Sequence, residues 1–210
     1  MQTAENDEGR GQVTPVHNLT EFFREALASA LASQQVTLDE HTAHYVVSLL
    51  TLYSRTEVSH RGTRPGQRWV SLADLLAQAS AARSAAERAA LLQRLGDVSL
   101  FVAGFFAHGF SRRLIDVDYH IAMGGRAYGT LAATPMSGPR RALNTVFGEL
   151  SHKFQPVVDA IGEISDTARV WGPDDVLRLY ELWLKTGSRR AQGLLRQLGV
   201  APAPVSLRPS

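Results

Sequence analysis

The sequence predicts an all-α fold, a single-domain helical bundle of about seven to eight helices. In one segment after another, apolar residues recur at the three- and four-residue spacing of an amphipathic helix. No run alternates in the two-residue rhythm of a half-buried strand. Because the connecting segments are mostly short, we expect neighbouring helices to run antiparallel. We expect one helical domain over residues 18–199, between disordered tails at residues 1–17 and 200–210.

Helix-start signals divide the first half of the chain. In a capping box, a hydroxyl side chain and an acid three residues later cap each other's backbone N–H groups. Three such pairs predict helix starts at Thr37, Ser71 and Ser84. Glycines and a proline mark residues 56–70 as a loop. Residues 78–90, rich in Ala and Arg, fit either two helices or one bent helix.

The most apolar stretch of the chain predicts a helix at the centre of the bundle. Residues 95–110 carry apolar side chains around almost the whole circumference of a helix. We therefore expect a central helix near residues 85–108. Polar residues and glycines interrupt this stretch, which is also too short to span a bilayer, so we expect no membrane insertion.

Proline, serine and glycine mark the helices of the second half. Pro156 lies inside a helical pattern, so a kink or a restart is expected near Gln155. Pro173 suits the first turn of the next helix. Ser188 is expected to start the last helix, and Gly199 to end it.

Composition excludes several classes of function. The chain has no cysteine, which rules out disulfides, thiolate metal sites and cysteine nucleophiles. Its N-terminus is polar and acidic and lacks the pattern of a signal peptide, so we expect a cytoplasmic protein. Arg far outnumbers Lys among the 22 basic residues, and Ala and Leu are abundant. This bias is typical of GC-rich bacterial genomes.

Paired Glu and His residues suggest a metal site as one alternative. Di-iron bundles place a Glu-x-x-His pair on each of two helices. Glu57 with His60 and Glu149 with His152 have that spacing, but no clear glutamates on other helices complete the set. The competing interpretation is two solvent-exposed helix pairs. An H-x-x-H pair at residues 41–44 is open to the same two interpretations.

Two histidines near the apolar stretch raise the alternative of haem. A haem protein needs a histidine that faces a cavity, and His108 and His120 lie in or beside the most apolar region. The simpler interpretation is a half-buried histidine with a local partner. For His120 that partner is expected to be Asp116, one helical turn earlier.

A strip of small residues marks the fifth predicted helix, which starts at residue 116 or 117. Adjacent glycines inside a helix cost roughly 1 kcal/mol each relative to Ala, so another interaction must compensate. Gly125, Gly129 and Ala133 share one face at four-residue spacing. This strip predicts the close approach of a partner, which is a helix of the same domain, a second subunit or a ligand.

The loop between the second and third helices combines basic and aromatic residues. Arg61, Arg64, Arg68 and Trp69 fit an anion-binding loop, because guanidinium groups bind phosphate and an indole ring stacks on bases. The formal net charge is only +2, and no helix-turn-helix pattern is present. Nucleic-acid binding is therefore a second alternative, behind a solvated loop.

The leading hypothesis is a non-enzymatic protein that acts through protein–protein interaction, as an adaptor or regulator, and self-associates as a homo-oligomer. No catalytic motif is present, and the last two predicted helices carry an apolar set that includes Tyr180, Trp183 and Leu184. This leading interpretation needs no cofactor and leaves the partner unidentified. The rival is an oxidoreductase that uses iron or haem on the same bundle.

Overall fold

The computed structural model describes residues 16–60, 71–105, 117–135, 138, 141–166 and 173–200. Within these ranges the chain forms helices and no strand, which confirms the all-α prediction at about the expected number of helices. The helices are α1 (Val16–Ser33), α2 (Glu40–His60), α3 (Leu72–Ala81), α4 (Ala85–Phe105), α5 (Val117–Ala133), α6 (Arg141–His152), α7 (Phe154–Asp166), α8 (Pro173–Thr186) and α9 (Arg189–Gln197).

Helix α4 lies at the centre of the bundle. Its second half is buried on every side, because almost every residue from Leu95 to Gly104 is inaccessible to solvent. The helix packs against α3, α5 and α7, and it also contacts α2. This agrees with the predicted central helix, whose last positions, residues 106–108, lie outside the described residues.

Capping residues set several helix boundaries as the sequence predicts. The hydroxyls of Ser71, Ser84 and Ser188 each accept a backbone N–H from the residue three positions later, at 3.4, 3.1 and 3.0 Å. Gly199 follows α9 with a φ of 80°, a conformation that favours glycine. Residues 82–84 separate α3 from α4, so this segment forms two helices rather than one bent helix.

The starts of the first two helices differ from the prediction. Helix α1 begins at Val16, two residues before the predicted boundary. Helix α2 begins at Glu40, and the Asp39 carboxylate accepts the His41 N–H at 2.9 Å. Asp39 thus caps α2 in place of Thr37, because it directly precedes the helix.

The helical pattern of residues 141–166 breaks once, as Pro156 predicts. Helix α6 ends at His152 and α7 begins at Phe154, so the restart lies at Lys153. Pro156 then falls in the first turn of α7, where its missing N–H removes no intrahelical hydrogen bond.

The described residues form two separate hydrophobic clusters. The main core is built from α1 to α7. A smaller cluster lies between α8 and α9 and centres on Leu179, Ala191 and Leu195, which are fully buried. Val200, predicted as part of the C-terminal tail, packs against this smaller cluster and donates its N–H to the Leu195 carbonyl at 2.8 Å.

Candidate functional site

A carboxylate in the middle of α4 binds two tyrosine hydroxyls on one of its oxygens. Tyr45 of α2 donates to Asp97 Oδ1 at 2.6 Å, and Tyr128 of α5 donates to the same oxygen at 2.7 Å. The Gln93 side-chain amide donates to the Tyr45 hydroxyl at 3.1 Å. These four residues, called the Asp97 cluster below, join three helices through one acceptor.

The surroundings of Asp97 make its carboxyl group a weaker acid than usual. Burial raises the Asp97 pKa to about 6, although the two tyrosine hydrogen bonds act in the opposite direction. The pKa of nearby Tyr53 is raised to about 12, by burial and then by the Asp97 charge. Asp97 can therefore take up or release a proton not far below neutral pH.

The second oxygen of Asp97 has no hydrogen-bond partner among the described residues. It can accept one further donor or carry a proton. Tyr128 is completely buried and stacks on Phe147, with ring centroids 5.3 Å apart. This packing fixes the hydroxyl that donates to the first oxygen. The cluster thus fixes a carboxyl group whose charge depends on pH.

The Asp97 cluster was not predicted from the sequence, although a signal for it is present. Asp97 interrupts the most apolar stretch of the chain, while Tyr45 and Tyr128 fall on the apolar faces of their helices. A buried tyrosine hydroxyl needs a hydrogen-bond partner. Two inward tyrosines and one inward aspartate therefore complement each other, but their contact depends on helix packing that periodicity alone does not give.

The side chain of Glu149, one of the predicted metal ligands, is used in helix contacts. Its carboxylate accepts the Asp39 backbone N–H at 3.1 and 3.2 Å and the Lys153 ammonium at 2.8 Å. Burial opposes ionisation of Glu149, but these hydrogen bonds outweigh it and lower the pKa. Glu149 therefore joins the start of α2 to the end of α6.

The predicted ligands whose side chains the structure describes do not assemble around Glu149. His152 is exposed, and its Nδ1 lies 2.7 Å from the Gly148 carbonyl oxygen of its own helix. His41 and His44 are exposed as well. Among the residues that the structure describes, no group of three or more His, Asp or Glu side chains could hold a metal. Glu57 and His60 lie in the last turn of α2, and their side chains are outside the described part.

His120, the histidine considered for haem, is buried at the start of α5. Only 9% of its surface is exposed, and burial lowers its pKa to about 4, so the ring is neutral at physiological pH. Its Nδ1 is buried and has no hydrogen-bond partner among the residues that the structure describes. The predicted partner Asp116 and the second candidate, His108, both lie outside the described residues.

The small-residue strip of α5 packs against a segment of the same chain. The Ser151 hydroxyl donates to the Gly125 carbonyl at 3.0 Å, and a Cβ at Gly129 would lie only 2.9 Å from that hydroxyl oxygen. The end of α6 therefore covers both glycines, which corresponds to the first of the three expected partners. Ala133 is exposed at the end of α5 and lines a cleft of about 650 Å³.

The apolar set of the last two helices is divided between a small core and the surface. Tyr180 and Trp183 are half-buried, with their rings 5.6 Å apart against the α8–α9 cluster. Leu177 and Leu184 point outward and are 63% and 46% exposed. Exposed Glu181 lies between them, at helical spacing. Leu177, Glu181 and Leu184 are called the α8 stripe below.

Buried polar contacts fix the α8–α9 hairpin to α7. The Ser188 hydroxyl donates to Asp159 Oδ1 at 2.7 Å, and both groups are inaccessible or nearly so. The Arg190 guanidinium donates two hydrogen bonds to Asp166 Oδ2, at 2.9 and 2.5 Å. Gly162 leaves space for this guanidinium, because a Cβ there would lie 2.7 Å from its central carbon.

The predicted anion-binding residues, Arg61, Arg64, Arg68 and Trp69, lie outside the described residues. No helix among the described residues combines the length and the apolar character needed to cross a bilayer. No protein-family model, curated protein or solved structure matches this chain.

Proposed function

We propose that this chain acts through protein–protein interaction, as an adaptor or regulator, and that the α8 stripe is its docking surface. The observation that carries the proposal is the exposure of Leu177 and Leu184 on one face of α8. Exposed leucines that lie together on one helix face are typical of docking surfaces.

The packing of the α8–α9 hairpin supports a role for Leu177 and Leu184 other than stabilising the hairpin itself. The inward face of α8 already contributes Leu179, Trp183 and, at its edge, Tyr180 to the cluster shared with α9. Leu177 and Leu184 are not part of that cluster. A partner that covered them would remove apolar surface from water. Each Å² buried in this way stabilises a complex by about 25 cal/mol.

The proposal is tested by quantitative affinity capture from cells that express the protein. The tested variant is Leu177→Asp/Leu184→Asp, and the control is Leu76→Asp, which changes a leucine that is 42% exposed on α3. We expect the double variant to capture at least about tenfold less specifically bound protein than the wild type. A tenfold change corresponds to a loss of about 1.4 kcal/mol in binding free energy. The control is expected to retain it.

A thermal melt of each variant checks that both remain folded. Leu177→Ser/Leu184→Ser is a milder variant for use if the aspartates unfold the hairpin. Equal capture by the wild type and the folded double variant would overturn the proposal.

A further inference from the structure

A polar cleft is lined by residues from the end of α1, from α7 and from α9. Its volume of about 560 Å³ is in the range of small-molecule sites. We propose that this cleft binds a zwitterion, which is an amino acid or a short peptide with a free amino group and a free carboxyl group. Glu163 binds the ammonium group of this ligand, and Arg189 binds its carboxylate. The site is separate from the α8 stripe and does not depend on it.

Two of the four charged side chains in the cleft neutralise each other. The Arg190 guanidinium donates to Asp166 Oδ2 at 2.9 Å, and the two side chains are only 4% and 12% exposed. This buried ion pair forms part of the cleft wall and holds α9 on α7. Glu163 and Arg189 are therefore the charged groups of the cleft that can serve a ligand.

Glu163 is a half-buried carboxylate whose hydrogen-bond donors are neutral groups. The Ser33 hydroxyl lies 2.7 Å from Oε1 and 2.8 Å from Oε2, and the Gln34 side-chain amide donates to Oε2 at 3.0 Å. No Lys, Arg or His nitrogen of the described residues lies within 4.0 Å of this carboxylate. Ser33 occupies the fork between the two oxygens, where a bidentate guanidinium would bind. Oε1 is therefore best suited to a single donor from a compact cation, such as an ammonium group.

Arg189 is an exposed cation at the start of α9 and lines the same cleft. In the part of the chain that the structure describes, no carboxylate lies within 4.0 Å of its side-chain nitrogens. A guanidinium group binds a carboxylate through two parallel hydrogen bonds. Glu163 and Arg189 thus offer opposite charges to one cleft without pairing with each other. A ligand that carries both charges requires this arrangement.

Two other residues of the cleft are unfavourable for stability alone. Gln35 follows α1 in a left-handed conformation, with a φ of 56°, although glycine is favoured at such a position. Gly193 lies inside α9, where alanine is favoured, and a Cβ there would meet nothing within 4 Å. A ligand accounts for both residues, because Gln35 supplies an amide to the cleft and Gly193 leaves the cleft open.

The position of Glu163 also indicates which ligand side chain fits. Glu163 borders a second, smaller cleft of about 140 Å³, whose lining includes Phe22, Ala26 and Ile164. An amino group bound to Glu163 places the first side chain of the ligand next to this apolar cleft. We therefore expect an apolar residue, such as leucine, at the amino end of the ligand.

The experiment is a calorimetric titration of the full chain with leucyl-glycyl-glycine and with free leucine, which distinguishes a peptide from an amino acid. We expect saturable binding of at least one of these ligands, and at least about tenfold weaker binding by Glu163→Gln. The N-acetylated form of the ligand should bind weakly to the wild type, and Glu163→Gln should not weaken it further. Arg189→Gln should likewise weaken binding of the free acid and leave binding of the carboxyl-terminal amide unchanged.

Glu181→Gln and Arg126→Gln are the controls, because both side chains are exposed and neither lines the cleft. Gly193→Leu should fill the cleft and abolish binding, while its higher helix propensity raises the melting temperature. Absence of binding by the wild type at millimolar concentrations of both ligands would overturn the proposal. Equal affinity for the N-acetylated and unmodified ligands, or unchanged binding by folded Glu163→Gln, would also overturn it.

Discussion

The side chain at position 96 is a hydrogen atom, and Tyr128 occupies the space that this leaves. A Cβ there would lie 2.5 Å from the ring of Tyr128, which is completely buried and hydrogen-bonded to Asp97. The ring cannot move away without breaking that bond or its stacking on Phe147. Gly96 is therefore required for the Asp97 cluster, although glycine is unfavourable inside a helix.

Gly96→Ala is expected to lower the free energy of unfolding by about 1 kcal/mol. Overpacking in a core costs about 2 kcal/mol in the middle of its usual range, and the better helix propensity of alanine returns about 1 kcal/mol of this. Gly193→Ala in α9 is the control, because nothing lies within 4 Å of its added Cβ. Urea unfolding should show the control stabilised by up to about 1 kcal/mol. Equal shifts of the two variants in one direction would contradict this account of Gly96.

The contrast between Ser71 and Asp97 shows what can be predicted from single residues. The capping role of Ser71 follows from its neighbours in sequence, since both partners lie within one turn. The role of Asp97 depends on Tyr45 and Tyr128, which are 52 and 31 residues away. Periodicity assigned these tyrosines to apolar faces but could not identify where their hydroxyls point.

At the scale of elements, the positions of the helices could be predicted from the sequence, but their division between two hydrophobic clusters could not. The apolar circumference of α4 indicates a central position, and the structure places it there. The separate cluster between α8 and α9 has no counterpart in the pattern, because each helix is amphipathic whichever core it faces. The attachment of this hairpin to α7 depends on Arg190 and Ser188, whose buried positions no local rule gives.

Arg190→Met is expected to destabilise the docking of the α8–α9 hairpin by about 3–5 kcal/mol. The guanidinium side chain is 4% exposed, and its partner Asp166 is 12% exposed. Removing one member of such a pair leaves a buried charge with less compensation. Hydrogen exchange should accelerate in α8 and α9 and remain slow in α4, because the two clusters are separate.

Arg24→Met provides the comparison for Arg190. Arg24 pairs with Glu21 on the surface of α1, where both side chains are at least half exposed. Such a pair contributes less than about 1 kcal/mol, so exchange throughout the chain should be unchanged. Faster exchange of α4 in Arg190→Met, to the same degree as in α8 and α9, would mean that the hairpin does not open separately.

At the scale of the whole molecule, two buried groups respond to pH in opposite directions. Asp97 has a pKa of about 6 in the folded protein, above its usual 3.8, so its contribution to stability is greatest below pH 3.8 and is lost as the pH rises through 6. His120 has a pKa of about 4, below its usual 6.5. Its contribution is present above pH 6.5 and is lost as the pH falls toward 4.

These opposed shifts predict that Asp97 and His120 nearly cancel between about pH 4 and pH 6. Each shift corresponds to about 3 kcal/mol, from roughly 1.4 kcal/mol per pKa unit. In that range the folded protein takes up a proton at Asp97, and the unfolded chain takes one up at His120. The raised pKa of buried Asp159 acts in the same direction as Asp97. Variants at Asp97 and His120 should therefore differ from wild type in the free energy of unfolding, with slopes against pH of opposite sign.

The measurement is the free energy of unfolding in urea at pH 4, 5, 6 and 7 for wild type, Asp97→Asn and His120→Leu. Asparagine retains a carbonyl oxygen for both tyrosine hydroxyls. Relative to wild type, Asp97→Asn should lose stability progressively as the pH falls from 6 to 4, because His120 is then unopposed. His120→Leu should gain stability over the same range. Subtracting the wild-type free energy of unfolding cancels the contribution of the carboxylates that all three proteins share. If neither difference varies with pH, then the pKa values of Asp97 and His120 are not shifted in the folded protein.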